Sequence, residues 1–374
     1  MFFGRAQSSR SGLSAHFLLQ GAALVALMFS PRAVGSWLFG PFSPWRCAVQ
    51  GFLSPPRKLA DMESDKTEPI PAFLNIVIGA TAMAGCLWTL WLASHTESWL
   101  VILGAALLFS YLNNTIFALF HEAEHKILHP NPTVNEWYGR LLGAFFPTSL
   151  AFHRCGHLNH HAHNRSEFET FDYIRPGDNL FLKYLQWYLV LTGIYWTLPP
   201  LACLLYFVWP GFVKAKRLRE GHEAVQTATI TYAKSYERAN ETVIRLEVLG
   251  ALIFQLAIIQ LLGLTALGWW ACYLAFALNW CSLQYADHAF SDCDTVSGAW
   301  NLRVHPVVRA FFLNYHYHRA HHEHPKVPWL YLGRYLHNDE YRPWFGDIYW
   351  MMWKGPRPYP ADGKSPLIPP QAQP

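Results

Sequence analysis

Charge is what this chain has least of: Asp, Glu, Lys and Arg together make up 14% of its 374 residues, well short of the roughly 25% typical of soluble domains. The net charge of +4 is small, and no lysine/arginine block or RNA-binding motif argues for a nucleic-acid partner. Its seven cysteines form no CxxC pair and lie mostly in or beside apolar runs. That excludes a disulfide framework and leaves buried, reduced thiols. No fused electron carrier is visible, since there is no His-Pro-Gly-Gly haem motif and no cysteine-rich iron–sulfur run. No acidic residue precedes Asp61, and no internal repeat is visible.

Hydrophobic residues are abundant at 52%, with seventeen Trp and eighteen Tyr to line membrane–water interfaces. Four segments meet the length of about 20 residues needed to cross a bilayer: 72–94, 99–120, 248–267 and 268–286. The first two form a hairpin through His95–Ser98, and the last two meet near Gly263–Gly268. A fifth apolar run, 185–208, is interrupted by Pro199 and Pro200, which an undisturbed helix does not carry in its interior. The following loop bears Lys214, Lys216, Arg217, Arg219, Lys234, Arg238 and Arg245, which the positive-inside rule places in the cytosol. The 185–208 run is therefore expected to be interfacial or re-entrant, so that both hairpins open to the same side. The expected fold is an all-α integral membrane protein with four transmembrane helices in two hairpins, interfacial or re-entrant helices, and a cytosolic histidine-rich cap. Residues 1–61 read as an N-terminal extension: a signal or transit peptide, or sequence upstream of a start at Met62. Residues 62–354 form the membrane domain, and 355–374 a proline-rich tail expected to be disordered.

Histidine is the anomaly. Of nineteen, eight fall between His121 and His163 and five between His316 and His324. His121 and His125, four apart, share one helical face. His157, His160 and His161 form an HxxHH pattern, as do His318, His321 and His322. His288 ends the fourth span at the same depth. Eight or nine imidazoles exceed what one ion accepts, so two metals are implied. Nitrogen ligands without thiolates suit iron, zinc or copper, and iron is preferred because zinc has no redox chemistry. His153 lies one turn before His157 and reads as second-shell or substrate-side, while His316 is a rival start for the third pattern. Asp287, Glu122, Glu124, Glu167, Glu169 and Asp172 are candidates to orient the rings, Asp287 the best placed.

In these motifs, over residues 72–345, the chain resembles the membrane fatty-acid desaturase and hydroxylase superfamily, including Pro325, Pro328 and Trp329 after the third box. The resemblance implies a non-haem di-iron centre held by His121, His125, His157, His160, His161, His318, His321 and His322, with His288 matching an extra histidine after the last span. It implies O₂ as oxidant, a lipid or fatty acyl substrate, and electrons from a separate ferredoxin, rubredoxin or cytochrome b5-like carrier with its reductase. The expected reaction is introduction of a double bond into a long fatty acyl chain. Hydroxylase, ketolase and alkene-forming decarboxylase chemistry on a fatty acid, alkane or carotenoid are the alternatives, since motif and fold do not fix reaction type. A non-enzymatic membrane metal-binding protein is the alternative of another class. A transporter would place polar ligands at mid-membrane, whereas these histidines sit at or beyond span ends.

Overall fold

The structure is a computed structural model that describes residues 68–368. The expected extension over 1–61 and the end of the tail lie outside the described residues. Fourteen α-helices and one two-stranded sheet follow in chain order. The long elements are α1 (Ala72–Ser94), α2 (Trp99–Glu124), α3 (Pro132–Phe145), α4 (Leu150–His163), β1 (Tyr173–Ile174), α5 (Leu180–Leu191) and α6 (Leu198–Val208). Three short helices follow, α7 (Lys216–Arg219), α8 (His222–Gln226) and α9 (Thr229–Glu237), then α10 (Glu241–Leu261) and α11 (Ala266–Ala286). The last elements are α12 (Pro306–Phe311), α13 (His318–Glu323), α14 (Phe345–Met352) and β2 (Arg357–Pro358).

The helix starts follow ordinary capping chemistry. Side chains of Asn131, Ser149, Asn179, Asn240 and Thr265 accept from the first free N–H groups of α3, α4, α5, α10 and α11. Three helices, α1, α2 and α10, are long and apolar enough to cross a membrane, or four spans if α5 and 194–208 count as one bent span. Their outer faces are leucine-rich, with Leu100, Leu103, Leu249 and Leu256 exposed, as lipid-facing surfaces are. α11, expected as the fourth span, is a continuous helix of 21 residues packed against α1 and α2. It carries Asn279, Ser282 and Gln284 and is buried over much of its length. Cys86, Phe109, Tyr273 and Phe276 are fully buried in the core that α1, α2 and α11 share.

Two boundaries differ from the sequence reading. α10 begins at Glu241 rather than 248, so its first two turns carry charge. Glu247 there is bound by Arg140 at 2.7 Å and accepts from Ser149 Oγ and the Ala151 N–H, which fixes the start of α4. The break in the fifth apolar run comes at Gly193, not at the prolines. α5 and the following segment meet at 90°, Gly193 has φ +80°, and the prolines sit in the first turn of α6, where a missing N–H costs little. A Cβ at Gly193 would lie 2.8 Å from Leu278 N. Gly193→Ala is therefore expected to destabilise the fold by about 1–3 kcal/mol, seen as a lower unfolding temperature in detergent. An unchanged temperature would mean the bend does not depend on this glycine.

The tail from 355 is ordered as far as the description reaches, contrary to expectation. Arg357 N–H donates to Asp172 O and Tyr359 N–H to Ile174 O, so β2 pairs in parallel with β1. Ser365, buried, bonds to Asp292 Oδ1 and Phe290 O, both at 2.6 Å. Pro358 has no N–H to give, but its neighbours supply the ladder bonds, and composition alone does not reveal that partner strand.

Candidate metal centre

One histidine pattern lies at the end of α2, one along α4 and one on the short helix α13. His121 lies in the last turn of α2 and His125 caps it; His157, His160 and His161 lie along α4, and His318, His321 and His322 along α13. The fold brings nine imidazoles into two groups. His121, His125, His157, His161 and His321 form one, and His160, His288, His318 and His322 the other, with all candidate ligand atoms in a group within 4.8 Å of one another. The division follows helical geometry. In α4 the i, i+4 pair His157/His161 enters the first group while His160, one position off that line, enters the second. In α13 the assignment is reversed: His318/His322 enter the second group and His321 the first. The groups abut, with the His161 and His322 ring centroids 4.3 Å apart.

Distances within the groups suit metal ions. His125 Nε2 is 2.7 Å from His157 Nε2, His161 Nε2 is 3.0 Å from both His157 and His321, and His318 and His322 are 3.3 Å apart. Two nitrogens at right angles around an ion, each at ~2.1 Å, stand about 3 Å apart. Among the described residues His121 Nε2 and His288 Nε2 are buried without a hydrogen-bond partner, which is costly unless an ion takes the lone pair. Burial, and then repulsion from neighbouring rings, holds His157, His161, His288, His318, His321 and His322 well below the usual imidazole pKa. Neutral rings are the form that binds metal. No cysteine enters either group.

Outer contacts orient several rings. His160 Nδ1–H donates to Glu169 Oε2 at 2.6 Å, and His288 Nδ1–H to Gly298 O at 3.1 Å, turning Nε2 inward. Asp287 Oδ2 stands 3.5 Å from His318 Nδ1. His153 lies in neither group; its Nδ1 bonds Glu124, and its ring packs on Phe117, Phe120 and Phe146. His316 is buried outside both groups, against Tyr317. Of the other acids, Glu122 accepts from the Trp329 N–H at 3.1 Å, Asp172 pairs with Arg165, and Glu167 is exposed. Sequence reasoning missed the knot behind the first group, where Trp329 Nε1–H donates to Asn75 Oδ1 and Asn75 in turn donates to Leu128 O. Its one signal, a polar residue near the end of an apolar span, names no partner.

Beside the groups lies a cavity of about 490 Å³, large enough for a small ligand. His157, His160, His288 and His318 form part of its wall, and Phe117, Phe171, Leu189 and Trp280 supply apolar surface.

Helices long and apolar enough to cross a membrane, together with paired, thiolate-free imidazole groups, define a histidine site fitted to metal. The chain belongs to the fatty acid desaturase family, whose profile matches residues 97–355. It is thus an integral membrane protein of an oxidoreductase family with lipid substrates. No curated protein matches it.

Proposed function

We propose that the chain is an O₂-dependent desaturase that introduces a double bond into a long fatty acyl chain, with electrons from a separate carrier. The observation that supports this is that His157 of the first imidazole group and His160, His288 and His318 of the second line a mostly apolar cavity. His121, His125, His157, His161 and His321 would hold one iron ion, and His160, His288, His318 and His322 the other. Bound iron supplies the O₂ chemistry that an unactivated C–H bond requires. The protein's own tasks are to hold the ligands, to bend and register the chain along α4 and α11, and to keep water away. Glu169 and Gly298 fix the tautomers of His160 and His288.

In this reading α1/α2 and α10/α11 are two membrane hairpins opening to the cytosol, α5 and α6 enter and leave on that side, and the histidine-bearing segments cap them there. The basic residues from Lys214 to Arg245 accord with it. Gas chromatography–mass spectrometry of lipids from a host expressing the chain tests the reaction. A new double bond that disappears with His157→Ala is the expected result. Hydroxylated or terminal-alkene products would assign another chemistry to the same centre, and unchanged lipids from fully metallated protein would overturn the enzymatic reading.

A further inference from the structure

The cavity is less uniformly apolar than a hydrocarbon requires. Trp280, 3% exposed, lines it, and its indole Nε1–H is buried with no hydrogen-bond partner among the described residues. His153 lines the same cavity, held by Glu124 through Nδ1, so its other nitrogen is free of that bond. Trp280 and His153 both pack edge-on or tilted against Phe117 and Phe146, at centroid distances of 5.0–5.9 Å. They therefore flank one spot. His153 is one turn before His157 on α4, and Trp280 two turns before His288, so that spot lies about 5–11 Å along the helices from ligands of either group. A plain hydrocarbon there would leave the indole N–H unsatisfied, at a cost of about 1–3 kcal/mol.

We infer that Trp280 and His153 bind an oxygen function of the substrate beneath the metal groups, so that the carbon attacked lies close along the chain to a carboxylate or hydroxyl. Such an oxygen accepts from Trp280, and a hydroxyl satisfies His153 in either protonation state because it both donates and accepts. The lining agrees. Leu185 and Leu198, both exposed, line the cavity with Leu182 and Leu189, and Thr227 and Thr229 add only hydroxyls. No lysine or arginine lines the cavity among the described residues. A hydrocarbon tail suits that lining better than a phosphate-bearing carrier does, so the oxygenated end goes in first.

The inference rests on the cavity being the substrate site of the proposed function. Its test is equilibrium binding of radiolabelled dodecanoic acid, 1-dodecanol and dodecane to the purified full-length protein in nanodiscs, with metal content measured alongside. Trp280→Phe and His153→Phe are each expected to lower the ratio of oxygenated-ligand to dodecane affinity about 3–10-fold, with metal content unchanged. The arm that responds more, acid or alcohol, identifies the function recognised. His153→Phe carries the test alone if Trp280→Phe does not fold. A ratio that stays at the wild-type value, or equal loss of all three ligands, would overturn the inference while leaving the metal centre and its reaction untouched.

Discussion

His157→Ala and His322→Ala are each expected to abolish turnover and to remove bound metal, whereas His222→Ala should do neither. His157 takes part in two of the closest nitrogen contacts of the first group, to His125 and His161. His322 belongs to the second group and its ring stands against His161 across the boundary between the two. His222 is half exposed and pairs with Asp178, remote from both groups. Because the groups abut, loss of a ligand from one is expected to weaken the other as well. Plasma emission analysis of the purified variants, beside lipid product analysis, checks this. Full metal retention in either histidine-box variant would refute the assignment of that residue.

Asp172→Ala is expected to be the most damaging change away from the ligands. Arg165 and Asp172 are both fully buried and bond at 2.7 Å. Arg165 also donates to Ser291 O, and Asp172 accepts from the Phe290 N–H and Tyr285 hydroxyl. This ties the loop after α4, whose last turn carries His160, to the loop after α11, which begins beside His288. Removing one partner leaves a buried charge, which costs about 3–5 kcal/mol. The expected readout is a large fall in unfolding temperature with loss of metal from the second group. The double variant Arg165→Met/Asp172→Leu should recover part of that loss, since no charge is then stranded. If the double variant is no better than the single one, the damage comes from the lost Phe290 and Tyr285 bonds instead.

The convergence of the histidines was legible because its determinants are local. Spacings of three and four place rings on one helical face, and His288 could be added because it ends a helix at the same depth as His121. The division of labour was not legible. That His160 joins His318 and His322 depends on how α4 and α13 cross, which no local spacing encodes. The apolar run at 185–208 announced itself, but its bend was assigned to Pro199 and Pro200, the more conspicuous residues, when Gly193 and its close approach to α11 set it. Asp172 is a ring-orienting candidate in the sequence, and nothing there pairs it with Arg165, because burial of a loop depends on packing from α11 and the tail. The tail itself read as disorder since its partner strand lies some 180 residues earlier in the chain.

Each of the two histidine groups is expected to hold one ion. Purified protein, expressed with iron and analysed for iron and zinc per chain, measures this directly. Two irons per chain in the wild type is the predicted result. One ion or none in a folded, monodisperse preparation would contradict it.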